Sequence, residues 1–317
     1  MDQVTEKLSK VKLEDAKSSS EQQAGKRIEY DRKAYKKRLL LLERAPEQNI
    51  LNVIQTACAE TFERSDFGIT LQSIKANFAQ RDYEGIFHTS DAKSLQVYSA
   101  AYVPGRALCY YEIFCMPKIS KLLARKVRIY AVGSGSGSEL VSLMAAMTRV
   151  PADRQQIQLT MQDIGDYQET LANFEATARS AWHISPAQLE FKYIHEDILS
   201  PSDPAKQVKR IAKADLITFM FVMNELFVKK SEAMVLVDTL VKNMKKGAYL
   251  LVVESAGSFS HLKVGGKTYM LYTLLDAIKD FECVLSENSR WYRHPENLRF
   301  PIDIQDMRYF IRLYKKL

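Results

Sequence analysis

Residues 130–140 read YAVGSGSGSEL, and what the three glycines were placed to hold decides the fold. Gly133, Gly135 and Gly137 stand between the apolar run VRIYAV (127–132) and a helix-like run that starts at Ser138. A strand, a glycine-rich turn and a helix in that order let the backbone pass close to a ligand, because a Cβ there would collide with it. The plain alternative is a tight turn with no ligand. A triphosphate-binding loop is excluded, since no Lys-Ser or Lys-Thr pair follows Gly137. The later GGKT at 265–268 lacks the earlier glycine such a loop needs, as His261 stands there. A dinucleotide fingerprint requires GxGxxG, and Ser138 occupies its third glycine position.

Working outward, IQLTMQD (157–163), LEFKYIHED (189–197), DLITFMFV (215–222) and AYLLVVE (248–254) join VRIYAV as apolar, often β-branched runs separated by helix-length segments. That alternation predicts a parallel sheet covered by helices on both faces. FECVLSE (281–287) and MRYFIRLYKKL (307–317) are two further strands joined by RWYRHPENLRFPIDIQ, a spacing suited to an antiparallel end of the sheet. The expectation is an α/β fold with a seven-stranded, mostly parallel sheet and an antiparallel last strand, preceded by a helical N-terminal region.

Residues 1–26 are polar, offer too little apolar surface to offset the entropy of ordering, and read as a disordered tail. Residues 27–125 read as helical: a basic segment from Ile28 carrying Lys33, Lys36, Lys37 and Arg38, a helix over 47–62 and another near 71–87. Pro104-Gly105 reads as a turn before a further apolar helix. Residues 126–317 form the sheet domain. Across 317 residues the net charge is +7, compatible with a polyanionic partner without requiring one. Apolar runs long enough to span a membrane and an N-terminal signal core are both absent, so an intracellular protein without a membrane role is expected. Cys58, Cys109, Cys115 and Cys283 fit no metal-ligand spacing and read as reduced core thiols, with no metal expected.

The GxGxG stretch resembles the motif of Rossmann-like S-adenosylmethionine-dependent methyltransferases. That resemblance implies S-adenosylmethionine as cofactor, with Gly133, Ser134, Gly135 and Gly137 close to it. It implies that Asp163, at the end of the second strand with Ile164 after it, accepts hydrogen bonds from the ribose hydroxyls. Asp197 then reads the adenine amino group, with Ile198 against the ring. FVMNELF ends the fourth strand where Met223 and its neighbours face the methyl group. Each acid alone could be a helix cap or turn former; three polar strand ends on one edge together outline the crevice of an open α/β sheet. The family's acid two residues before the first glycine is Ala131 here, and Glu139 or the PGR segment remains as the source of a polar contact. Arg106 is the candidate for the cofactor's carboxylate.

LQSIKANFAQRDYEGIF, LQVYSAAYVPGRALCYYEIF and SENSRWYRHPENLRFPI, within 71–317, are similar to phrases of the fungal family that includes 25S ribosomal RNA uridine-N3 methyltransferases. The resemblance implies methylation of uracil N3 in ribosomal RNA or a preribosome, and hence a nuclear, nucleolar or cytoplasmic enzyme. Such a reaction needs an electron-rich atom about 3 Å from the methyl carbon and an acceptor for the N3 proton. Asn224 and Glu225 are the candidate catalytic pair, with helix capping as their plain alternative. Tyr102, Arg290, Trp291 and Arg293 are candidate RNA-binding residues, since aromatics interleaved with arginines stack on extruded bases. Lys229 and Lys230 flank the site or form an ordinary solvated face. A small-molecule or protein methyltransferase, and a non-catalytic cofactor-binding assembly factor, remain as alternatives.

Overall fold

The computed structural model describes residues 45–87, 91–151, 155–257, 261–264 and 267–317. Residues 46–317 form a compact unit. The expected tail over 1–26 and the basic segment from Ile28 lie outside the described residues.

At the centre is a seven-stranded sheet of β1 (Lys126–Val132), β2 (Gln156–Asp163), β3 (Leu189–His195), β4 (Leu216–Met220), β5 (Tyr249–Ser255), β8 (Phe281–Tyr292) and β9 (Met307–Lys316). Their spatial order is β3-β2-β1-β4-β5-β9-β8. The first five are parallel, and β9 runs antiparallel to both β5 and β8. This is the Rossmann-like arrangement expected from the glycine loop, and its order reverses between β1 and β4, where a crevice opens. The fully apolar β4 is buried along its whole length, as a central parallel strand must be. The edge strand β3 exposes Glu190 and Lys192 instead.

Twelve helices are described: α1 (Pro46–Ala57), α2 (Ala59–Phe62), α3 (Phe67–Gln80), α4 (Tyr83–Phe87), α5 (Ala92–Phe114), α6 (Pro117–Leu123), α7 (Ser138–Met147), α8 (Gln168–Trp182), α9 (Pro204–Lys213), α10 (Met223–Leu226), α11 (Lys230–Asn243) and α12 (Leu271–Asp276). Helices α5, α7 and α8 pack together over one face, and α1 joins them. On the other face Tyr130, Ile217, Val252 and Phe310 pack with Ile211 of α9, Leu236 of α11 and Leu275 of α12. A short hairpin, β6 (His261–Val264) and β7 (Lys267–Met270), stands apart from the sheet and was not foreseen. It contains the last two residues of GGKT, whose Lys267 therefore opens a hairpin strand.

Five local expectations are corrected. The helix over 47–62 breaks at Cys58. The helix near 71–87 begins at Phe67 and ends at Arg81, whose φ of 57° turns the chain before α4. Pro104-Gly105 makes no turn but lies inside the 23-residue α5. Proline in a helix interior costs about 3 kcal/mol, but α5 is buried on nearly every side, and that apolar burial holds it together. Gly105 serves close packing, since a Cβ there would come 2.7 Å from the backbone oxygen of Gln305. Finally, β8 continues to Tyr292, so Arg290 and Trp291 belong to a strand and not to the connection before β9. Cys283 also lies exposed on this edge strand, outside the core.

Candidate functional site

A cavity of about 330 Å³ opens at the carboxyl ends of the parallel strands, within the size range of small-ligand sites. Its floor includes Gly133 and Ser136 after β1 and Asp163 and Ile164 at β2. Glu196, Asp197 and Ile198 follow β3, while Phe221, Val222 and Glu225 follow β4. The helical region supplies the opposite wall, with Arg81, Tyr83 and Phe87 around α4 and Tyr98 and Arg106 from α5.

The glycine loop is shaped by its own neighbours. Gly133 and Gly137 have φ of 66° and 101°, the left-handed region that side chains disfavour. A Cβ on Gly133 would meet Val222 Cγ2 at 2.2 Å, and one on Gly135 would meet Tyr167 Cδ2 at 2.2 Å and Asp163 Cβ at 2.7 Å. The Gly135 N–H donates to Asp163 Oδ2 at 2.8 Å, and the Gly165 N–H donates to Oδ1 at 3.0 Å. Ser134 is buried and donates its hydroxyl to the Ala131 carbonyl at 3.0 Å. Gly133 and Ser136 thus face the cavity, whereas Ser134, Gly135 and Gly137 shape the loop from behind. Burial pushes the Asp163 carboxyl above its ordinary range, against the pull of the Gly165, Gly135 and Ile164 backbone N–H groups.

Beyond β3, Asp197 Oδ1 accepts from the Leu199 N–H at 2.8 Å, which fixes the turn that lays Ile198 into the cavity. Glu196 Oε2 pairs with Arg210 at 3.1 Å, and Arg210 also reaches Gln162 Oε1 at 2.8 Å. This ties the ends of β2 and β3 to α9.

At the end of β4, Phe221 adopts φ 57°, a conformation bulky residues hold only where surroundings enforce it. The Phe221 N–H is tied to the Val253 carbonyl at 2.8 Å, and its ring stacks on Tyr110 with centroids 6.1 Å apart. The one-turn α10 follows and carries Asn224 and Glu225. Glu225 lines the cavity; Asn224 and Met223 lie behind it, Met223 buried in the core. The Asn224 N–H donates to Glu254 Oε2 at 3.2 Å. Burial lifts the Glu225 carboxyl well above its ordinary range; Arg106 opposes the shift, and Glu254 and Asp163 add to it. Glu254, 2% exposed at the end of β5, is pushed up to about 7 by the same burial. Glu139, 3% exposed on α7, is pushed up to about 8, and its Oε1 has no hydrogen-bond partner among the described residues.

Arg106 projects from α5 toward these acids. It donates to the Tyr98 hydroxyl at 2.6 Å and lies 5.5 Å from the ring centroids of both Tyr98 and Tyr102. Tyr102 is thereby placed behind Arg106 and does not face the cavity. Of the other candidate RNA-binding residues, Arg290 is committed to ion pairs with Glu112 and Glu287. Trp291 is 53% exposed, with the guanidinium groups of Arg293 and Arg308 at 5.6 and 5.8 Å from its ring centroid. This cluster lies outside the cavity.

The residues sequence reasoning missed are Arg81, Tyr83, Tyr98, Glu196 and Glu254. Glu254 carried a legible signal, an acid ending the fifth apolar run. Tyr83 and Tyr98 carried none, because only the helical packing brings them over the strand ends.

These residues fit S-adenosylmethionine. The cofactor carries two positive charges and one negative; the cavity is lined by the carboxyls of Asp163, Asp197 and Glu225 and by the guanidinium groups of Arg81 and Arg106. Behind that lining Glu139, which feels Arg106 and Asp163, leaves a buried acceptor oxygen unpaired among the described residues. Among the described residues no helix is long and apolar enough to cross a membrane, and no cluster of His, Cys, Asp or Glu could hold a metal ion.

Residues 54–315 match the model of a family described as "Putative SAM-dependent methyltransferase". The chain is 28% identical to the 25S rRNA (uridine(2843)-N(3))-methyltransferase of Saccharomyces cerevisiae, over 86% of each chain. Among solved structures it is similar to an O-methyltransferase family protein from Burkholderia thailandensis, at 11% identity and TM-score 0.48, covering 79% of this chain and 70% of that one. It is also similar to magnesium protoporphyrin IX methyltransferase from Synechocystis PCC 6803 with bound SAM, at 11% identity and TM-score 0.42, covering 80% and 98%.

Proposed function

Because the chain belongs to this family of S-adenosylmethionine-dependent methyltransferases, we propose that it methylates N3 of a uridine in large-subunit ribosomal RNA, free or within a preribosome. The yeast relative is named for that reaction. The observation that carries the reading is Glu225, a carboxyl of raised proton affinity on the cavity wall after β4. Uracil N3 holds a proton that must leave, and a carboxylate that binds protons tightly is a better acceptor for it than an exposed one.

When bound, the cofactor supplies a methyl group activated by a sulfonium. Gly133 and Ser136 border it, Asp163 accepts from the ribose hydroxyls, and Asp197 and Ile198 receive the adenine. Arg106, held by Tyr98, receives the carboxylate. Tyr83 and Phe87 wall the site from the helical side. Glu225 takes the N3 proton. Asn224, one residue away on α10, lies behind the cavity wall, and the bond from its backbone N–H to Glu254 steadies the turn that presents Glu225. Lys229 at the cavity rim and Trp291 between Arg293 and Arg308 suit a polyanionic strand with an unstacked base. Such a substrate implies an intracellular enzyme, in the nucleolus or the cytoplasm.

Mass spectrometry of ribosomal RNA nucleosides from cells with and without the gene tests the proposal. Loss of one 3-methyluridine is expected; an unchanged profile would overturn it.

A further inference from the structure

We infer that Glu225 and Glu254 form a paired carboxyl seat for the positive charge of the methyl donor, so that the cavity holds the sulfonium form and lets go of its neutral thioether product. This rests on the methyltransferase reading and deepens it.

The pair is built by adjacent strand ends. Glu254 closes β5, and its carboxylate oxygens accept the backbone N–H of Ser255 at 2.8 Å and of Asn224 at 3.2 Å. Those bonds hold the first turn of α10 against β5, and α10 presents Glu225 to the cavity one residue further on. Charged and titratable neighbours come from every side. Asp163 at β2, Arg106 and Tyr98 from α5, Tyr167 before α8 and Tyr83 from α4 act on Glu225; Arg106, Tyr83 and Glu225 act on Glu254. Arg81 and Lys229 also line the cavity, but Arg106, already engaged by the Tyr98 hydroxyl, is the cation that acts on both acids.

A buried carboxylate and a partly buried one beside it, with Arg106 as the cation they share, resist ionising together without further compensation. Burial raises the proton affinity of both groups, which favours their protonated form unless a cation lies beside them. A sulfonium beside them supplies the missing positive charge, so binding of the donor releases protons. S-adenosylhomocysteine has the same ammonium and carboxylate but no sulfonium, and cannot do this to the same extent.

The seat also balances the proposed reaction. The S–CH3 bond breaks with its electron pair left on sulfur, and N3 bonds the methyl carbon. The N3–H proton passes to Glu225. The sulfonium charge and the carboxylate charge vanish together, and the net charge of the cavity is unchanged through the step. The product then sits among neutral carboxyls that no longer favour it.

The test is titration calorimetry of the purified protein with S-adenosylmethionine and with S-adenosylhomocysteine, in buffers of different ionisation enthalpy. The expected result is more protons released by the donor than by the product. The donor-to-product affinity ratio should rise about tenfold between about pH 6 and about pH 8.5. In Glu254→Gln, which keeps an acceptor for the Asn224 N–H, and in Glu225→Gln, that pH dependence should shrink. Equal proton counts for both ligands, or a ratio flat with pH in the unaltered protein, would overturn the inference and leave the methyltransferase reading standing. Failure of both ligands to bind would overturn both.

Discussion

The backbone N–H of Gly135 donates to Asp163 Oδ2 at 2.8 Å. The glycine loop after β1 and the acid that ends β2 are therefore one unit, and the loop cannot move without taking the carboxylate with it. Gly135→Ala would drive a Cβ into Tyr167 and Asp163. Overpacking of that kind costs about 1–3 kcal/mol. The expected outcome is a folded protein whose affinity for S-adenosylmethionine falls more than about tenfold, read by calorimetry. Unchanged affinity would disconnect the loop from cofactor binding.

Glu225→Gln removes the proposed proton acceptor and keeps its shape. With cofactor and RNA saturating, the single-turnover rate should fall about 10²–10⁴-fold, the usual worth of a positioned base. A rate within twofold of the unaltered enzyme, about 0.4 kcal/mol in barrier, would reassign the base.

The Glu139 carboxyl is held at about 8 in the fold, against 4.5 for an exposed one. A group raised on folding favours the native state fully below its unfolded value, and that contribution is lost as pH climbs through about 8. In the ligand-free protein Tm should therefore decline from about pH 6 to about pH 9, and Glu139→Gln should decline less. The gap between the two should widen with pH, at about 2–4 °C for each kcal/mol. Parallel curves from thermal scans would refute it.

Trp291 stands exposed between two guanidinium groups, away from the cavity. Trp291→Ala should weaken binding of single-stranded RNA by about 1–3 kcal/mol, the worth of one base–aromatic stack. Cofactor affinity should stay unchanged. Gel-shift and calorimetric measurements on the same preparation separate the two, and equal RNA affinity would remove the platform.

Gly105→Ala places a Cβ 2.7 Å from the Gln305 backbone oxygen, whereas a Cβ on Gly68 meets nothing within 4 Å. The first change should destabilise by about 1–3 kcal/mol, and Gly68→Ala on α3 should stabilise by up to about 1 kcal/mol. Urea midpoints of the two variants should move in opposite directions.

The sheet was legible because each strand is a short apolar run with helical spacing between, a periodicity that packing reinforces. Strand ends shifted by one or two residues: β3 stops at His195, and Glu196 and Asp197 form the turn that faces the cavity. What sequence could not reveal depended on tertiary burial. Pro104-Gly105 carries a strong local turn signal, yet the apolar surroundings of α5 override it. RWYRH looked like one loop unit, but β8 alternates its side chains. Arg290 turns toward Glu112 of α5, and Trp291 points away with Arg308. Glu225 was visible as a polar residue after β4; the raised proton affinity that fits it for its role comes first from burial in the folded site, with Glu254 and Asp163 on other strands adding to it.

The contact between Gly105 and Gln305 joins segments two hundred residues apart in the chain. Gln48 and Arg299 do the same through a reciprocal pair of hydrogen bonds, 3.0 and 2.8 Å, from α1 to the β8–β9 connection. During synthesis α1 to α5 leave the ribosome long before these partners exist. The wall that carries Tyr83, Tyr98 and Arg106 packs first on α7 and α8, and only its ties to Gln305 and Arg299 wait for the last third of the chain. The lining of the cavity, from Arg81 to Lys229, is therefore synthesised before the strands that lock its helical wall in place.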